Sequence, residues 1–318
     1  MHAMSTSGPC RPALVLDCGP ARGGVRQGRR DPRLGPAARR AARQPPRLMG
    51  LAVLALLAVR TSAVRAASPG QCSGPSALLA LLDRPTIGDS SCVVPQGMTV
   101  LEAGATLGRL YPGPAGSLDT APNLELRWGL PGNSELVWLP PNFQYQRRDA
   151  HGGVRARTAR GFGVTTAGIK HEFGASRHWQ WTAETLVTLP SGDGRFGSHG
   201  LGGAVNAIVS YDSGPLGVSM MLGASSQTEP TDAGGGRYQS LNPDFVVTWQ
   251  SAPALQFYAE VYGQSHAGYR QGWGSDFDGG VQYLPGRRLE VDLEEGVRLQ
   301  GMLGGFSRYT GVGLGLLF

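Results

Sequence analysis

The chain ends on YTGVGLGLLF, residues 309–318. Val312, Leu314 and Leu316 alternate with Gly311, Gly313 and Gly315, and Phe318 closes the chain. An extended chain points successive side chains to opposite faces, so this period of two predicts a strand with one greasy face and one nearly bare face. A soluble sheet can carry such a strand. One that ends the polypeptide on an aromatic residue suggests something narrower: a strand whose apolar face meets lipid. The other segments have to support that reading.

They do, working back from the end. RLEVDLEEGVRL, 288–299, sets Leu289, Val291, Leu293, Val297 and Leu299 against Glu290, Asp292, Glu294 and Arg298. ALQFYAEVYG, 254–263, sets Leu255, Phe257, Ala259 and Val261 against Gln256, Tyr258, Glu260 and Tyr262. NLELRWGL, 123–130, repeats the pattern with Glu125 and Arg127 on the polar side. Twelve such segments are expected, near 99–110, 122–130, 135–141, 161–173, 179–189, 201–211, 215–227, 238–250, 254–265, 273–284, 288–299 and 306–318.

The connections decide the architecture. PGNS, GASRH, DSG, SAP and PGR are short turn chemistry. They alternate with longer links: YPGPAGSLDTA, PNFQYQRRDAHGGVRARTAR, PSGDGRFGSHG, EPTDAGGGRY and HAGYRQG, with GMLGGF the shorter last one. In an antiparallel meander this collects long loops at one end and short turns at the other. An even strand number with that asymmetry is the layout of a transmembrane up-and-down β-barrel in the outer membrane of a Gram-negative bacterium. Hydrocarbon offers backbone groups no hydrogen-bond partner, so a sheet in it must close on itself. A soluble β-sandwich is the competing reading, since alternation alone allows it. The terminal Phe318, the loop asymmetry and the strand-end placement of Trp128, Trp138, Trp179, Trp181 and Trp249 argue against it. A terminal aromatic resembles the signal read by outer-membrane assembly machinery, which makes that machinery, outer-membrane lipids and lipopolysaccharide the expected partners.

Composition agrees. Of 318 residues 49 are glycine and only 16% are charged, too much glycine for a helical enzyme. The net charge of +6 is unevenly spread: residues 1–66 hold 12 arginines and 2 acids, leaving 17 bases against 21 acids in 67–318. The basic balance therefore does not indicate nucleic-acid binding. It belongs to a leader over 1–66, with a basic n-region, the apolar run GLAVLALLAV at 50–59 and small residues around Ala66. Residues 1–48 read as an artefact of a start codon placed upstream of the true start near Met49. In the exported part, Cys72 and Cys92 are expected to pair in an oxidising compartment. They bracket GPSALLALLDRP, 74–85, which predicts a short helix stopped by Pro85. The domain reading is a leader over 1–66, a periplasmic or plug segment over 67–98 and the barrel over 99–318.

The order of segments also resembles a family. LPSGDGR (189–195) follows GIKHEF and LELRWGL and precedes AIVSYDSGPLGVSMMLG and LQFYAEVYG. Together these are similar to the outer-membrane transporter family named for a "MetA-pathway of phenol degradation", over roughly 120–318. The resemblance implies a small-molecule channel or transporter, in some cases linked to aromatic compounds. The cysteine-bracketed segment is not part of what it covers.

Enzyme chemistry finds no foothold. Lys170 is the sole lysine, so a phosphate-cradling Gly-Lys-Ser/Thr loop cannot exist. There is no G-x-S-x-G elbow, and the six histidines show no metal spacing. No catalytic residue, metal or cofactor is expected; Ser198-His199 is an adjacent pair of the kind a lipid hydrolase would need. Parity instead turns Glu125, Arg127, Lys170, Glu172, Glu184, Glu260, Asp276, Asp278, Glu290, Asp292, Glu294 and Arg298 toward the lumen, since charge on the lipid face costs about 2–4 kcal/mol at the midplane. These either plug the barrel as a salt-bridge network or tune which solute passes. Their acidic bias favours cations or neutral polar solutes. Glu295 has lipid-facing parity, which predicts a bulge or a rim position. The Arg-rich link at 140–160, with Arg147, Arg148, Arg155, Arg157 and Arg160, fits an adhesive role on lipopolysaccharide phosphates.

Overall fold

A computed structural model describes residues 72–112, 115–150 and 155–318. The leader expected over 1–66, with Cys10 and Cys18, lies outside them. Fourteen antiparallel strands make one sheet: β1 (Thr99–Leu110), β2 (Gly116–Leu130), β3 (Ser134–Leu139), β4 (Phe143–Arg148), β5 (Arg157–Phe162), β6 (Thr166–Ala175), β7 (Trp179–Thr188), β8 (Gly202–Ser213), β9 (Leu216–Thr228), β10 (Arg237–Ala252), β11 (Leu255–Gln264), β12 (Gly274–Gly286), β13 (Leu289–Gln300) and β14 (Phe306–Leu317). Starting at β1 and passing through β14 to β6, then β3 and β2, the ladder returns to β1. That closed ring has twelve strands, and it leaves no edge to be satisfied in lipid.

The remaining two strands sit where the long second outer loop was expected. β2 pairs with β3 along Leu126–Leu130 and with β4 along Gly116–Thr120. β4 thus resumes the stave that β3 began, after an interruption at Pro140-Pro141. Proline has no N–H to give the ladder, so the stave breaks there. β5 pairs with β4, and β6 with β3, so the following stave is interrupted in the same place. β2 likewise starts earlier than its alternation showed.

Long and short connections separate as expected. The short turns, such as 131–133, lie at one end with Thr99 and Phe318. Gly132 and Asn133 both adopt positive φ there, which these residue types tolerate in a tight hairpin. The outward faces are apolar and exposed: Leu107, Ile169, Leu222, Leu241, Leu293 and Val312 are all at least half exposed. Trp179, Trp181 and Trp249 sit outward at the short-turn end, with Trp179 and Trp181 stacked at 6.3 Å. Such exposure would be costly in water and is what a lipid-facing band needs.

Glu295 faces outward without a bulge. The β13 ladder runs in register through it, and Thr310 Oγ1 donates to its carboxylate. It lies toward the outer end of its strand, so the rim half of the expectation holds and the bulge half does not.

The glycines of the last strand face inward, toward the segment that precedes β1. That segment carries one short helix, α1 (Ala77–Leu81), and is already extended at Leu82. It is shorter than the predicted helix, which ran to Pro85. Leu78, Leu79, Leu81 and Leu82 pack with Cys92, Val94, Val100 and Leu284 into an apolar cluster. A Cβ on Gly315 would strike Leu82, and one on Gly313 would strike the Arg84 guanidinium. The bare face of the closing strand is the space that this segment fills.

Candidate functional site

Two charged groups of the segment reach the wall from opposite sides. Asp83 accepts from Lys170 Nζ at 2.8 and 2.9 Å and pairs with Arg127 at 3.3 Å. Arg84 pairs with Asp292 at 3.1 Å and Glu294 at 3.4 Å. Burial alone would raise the Asp83 carboxyl. The Arg127 and Lys170 cations outweigh that and hold it below the usual carboxylate range. Burial would lower the Arg84 guanidinium, but Asp292 and Glu294 keep it above its ordinary value.

Backbone groups complete the seat. Glu102 accepts from the N–H groups of Asp83 (3.1 Å) and Arg84 (2.6 Å). Glu260 accepts from those of Ile87 (2.9 Å) and Gly88 (2.7 Å), and Glu135 from that of Val94. Arg127 donates to the carbonyls of Leu81 (2.6 Å) and Cys92 (3.1 Å) while holding Glu135 at 2.8 Å. An irregular segment leaves many backbone groups unpaired, and here wall carboxylates and one arginine satisfy them. Cys72 and Cys92 form a disulfide, which turns 72–92 into a closed loop.

The expected inward residues fall into two sets. Glu125, Arg127, Lys170 and Glu184 surround Asp83 and Asp89, while Glu260, Asp276, Asp278, Glu290, Asp292 and Glu294 line β11 to β13, where Asp292 and Glu294 pair with Arg84 and Tyr309 donates to Asp278. Glu172 is buried apart, bonded to Gln180 at 2.9 Å. Arg298 is half-buried near the outer rim, 3.7 Å above the Tyr111 ring. Sequence reasoning missed Glu102, Glu135 and Asp244. Glu102 carried a signal, because it alternates with Leu101 and Ala103; Glu135 stands at the first turn of a short strand, where parity has little to count. Asp83 and Arg84 fall at the end of the predicted helix, whose period gives no sign of a contact with strand residues.

Among the described residues, fourteen acids are buried against three bases, Arg84, Arg127 and Lys170. No described residue makes a hydrogen bond of ordinary length to either carboxylate oxygen of Asp244, Asp276 or Glu290, although Glu260 stands beside Asp244, Arg298 beside Asp276 and Gln282 beside Glu290. Asp83, Glu102 and Glu125 place carboxylate oxygens within 4.8 Å of one another, a spacing that suits a metal. Arg127 already pairs with the first two, and Lys170 with Asp83, so side-chain cations do that neutralising work.

Cavities flank the segment. On the outer side, one of about 90 Å³ is lined by Ile87, Leu186, Met221, Tyr262 and Phe306. Toward the short-turn end a more polar one of about 360 Å³ has Ser76 to Ser91 on one side and Gln250, Gln256 and Gln282 among its other walls. Ser198 and His199 do not form a nucleophile–base pair. Ser198 Oγ bonds Thr228 Oγ1 at 2.7 Å and the Gly200 carbonyl at 2.8 Å, while His199 Nδ1 faces Thr231.

Comparison with known proteins agrees with this architecture. No curated protein sequence matches the chain. Among solved structures the fold is similar to an outer membrane channel from Pseudomonas putida, with a TM-score of 0.57 and 11% identity over 73% of this chain and 100% of that one. The NanC porin is similar at a TM-score of 0.44 and 12% identity, over 69% of this chain and 98% of that one. Residues 83–300, more than half of the chain, match the family described as "Putative MetA-pathway of phenol degradation". This outer-membrane β-barrel belongs to that family.

Proposed function

We propose that this barrel is a passive channel for small molecules, closed at rest by residues 72–98, and that its lining favours cationic or neutral solutes. The observation that carries the reading is the imbalance, among the described residues, of fourteen buried acids against three bases around a noncovalently seated segment. Side chains of one sign in a low-dielectric wall concentrate the opposite charge. Carboxylate oxygens that no described residue reaches at hydrogen-bond distance, as at Asp244, Asp276 and Glu290, are acceptors suited to water or to a passing cation. The outer cavity, where Ile87, Leu186, Met221, Tyr262 and Phe306 stand beside Asp244 and Asp276, suits aromatic solutes of the kind the family description suggests. The chemistry asks for no nucleophile, metal or cofactor, so the protein is read as a non-enzyme.

A second reading keeps the barrel closed and gives the work to its outer loops. The density of contacts that hold the segment favours it. Planar-bilayer recording separates the two. The full chain is expected to conduct weakly, and a variant lacking 72–98 to conduct well, with cation preference reduced by Glu290→Lys. Silence of the refolded, segment-deleted barrel, together with no solute leakage from liposomes, would exclude the channel.

A further inference from the structure

On the outward surface, near the rim with the long loops, the register sets arginines in a row. Arg308 of β14 lies opposite Arg109 of β1, Arg109 opposite Ser117 of β2, and Ser117 opposite Arg147 of β4. All three arginines are exposed. Their parity is that of the lipid face: two residues nearer the short-turn end, Arg109 gives way to Leu107, 62% exposed, and two beyond Arg308 and Thr310 comes Val312, 51% exposed.

Height follows from the ladder. Thr99 and Phe318 pair at the short-turn end, and Arg109 and Arg308 stand about ten residues farther along their strands, the length of a transmembrane strand. The row therefore lies at the outer hydrocarbon boundary. β4 and β5 mark the same level, with Phe143 and Phe162 in ring contact at 5.5 Å, then Tyr145 opposite Arg160, then Arg147. Apolar, aromatic, basic is the order expected on crossing from acyl chains to headgroups.

Like charges directly opposite on neighbouring strands are destabilising. Among the described residues neither Arg109 nor Arg308 has an ion-pair partner, while Arg147 has only the exposed Asp149 at 3.3 Å. The outward acids of the next row, Asp119 and Glu295, are bonded to Ser117 and Thr310 instead. Ser117 is small, so it leaves a gap of roughly 10 Å, two strand spacings, between the backbones that carry Arg109 and Arg147. An anion lying across the row would offset the repulsion and engage several guanidinium groups at once.

We propose that the row Arg308–Arg109–Ser117–Arg147 binds the phosphates of an anionic outer-leaflet lipid, lipopolysaccharide. The proposal is independent of the channel reading. Refolded full-length protein in neutral detergent would be titrated with bisphosphorylated lipid A, with fully dephosphorylated lipid A, and with inorganic phosphate as competitor. The expected results are saturable binding of the bisphosphorylated lipid, at least tenfold weaker for the Arg109→Gln/Arg308→Gln double variant and unchanged for Arg177→Gln at the opposite rim. Inorganic phosphate at millimolar concentration should not displace it. Circular dichroism of each variant confirms the barrel before titration. Equal binding of both lipids, equal binding by the double variant, or ready displacement by free phosphate would each overturn the proposal.

Discussion

Gly313 shows how much one position decides. Its outward neighbours Val312 and Leu314 serve the lipid, while its own missing side chain leaves room for the Arg84 guanidinium beside Asp292. The alternation of the last ten residues predicts the strand, but not what the glycines leave room for, because the occupant is distant in sequence and has no period. Gly313→Val is therefore expected to spare the barrel and push Arg84 from its seat. Valine is a good strand residue, so the ladder itself has no reason to suffer. Bilayer conductance should rise severalfold over that of the unaltered chain, with an unchanged β-sheet circular dichroism spectrum. A correctly folded variant that conducts no more than the parent would mean that Arg84 does not hold the segment. The wall acids were legible for a different reason: Glu290, Asp292 and Glu294 alternate with Val291 and Leu293 over a full strand, and parity needs only such a run.

At the scale of elements, legibility tracks how long a period persists. β10 to β14 each run ten residues or more and were read nearly to their ends. β4 and β5 have six residues each, lie beyond Pro140-Pro141 and carry arginines, so they read as loop chemistry. Only their pairing with β2 and with each other makes them strands. The segment before β1 has no period to detect beyond one turn of helix. Its order comes from outside itself, from Arg127, Glu102 and Glu260, and from its disulfide. Closing a loop of about twenty residues contributes on the order of 3 kcal/mol by restricting the open chain. That contribution acts on the segment and on no barrel strand. A reductant added to the unaltered channel should therefore increase current fluctuations, and the Cys72→Ser/Cys92→Ser variant should fluctuate with or without it. Thermal unfolding of the sheet should be the same for both proteins. A wild-type trace indifferent to reductant would show that the wall contacts suffice alone.

For the whole molecule the decisive feature is the seam where the first strand meets the last. Thr99 N–H donates to the Phe318 carbonyl at 3.3 Å, and Phe318 N–H to the Thr99 carbonyl at 2.9 Å, so pairing continues through Phe318. These bonds sit at the membrane boundary, where water can replace them; losing both should cost only about 1–3 kcal/mol in total. The Phe318 ring adds little packing, being 60% exposed on the outward side. The closed ring accordingly has small structural need of that residue. If its use is recognition during assembly, deleting Phe318 should leave refolding into detergent micelles intact, with parental circular dichroism and a melting temperature within a few degrees. In cells the same deletion should lower the amount of barrel recovered from the outer membrane severalfold. Should the truncated chain also fail to refold in micelles, the residue is a structural clasp of the seam and the recognition role is lost.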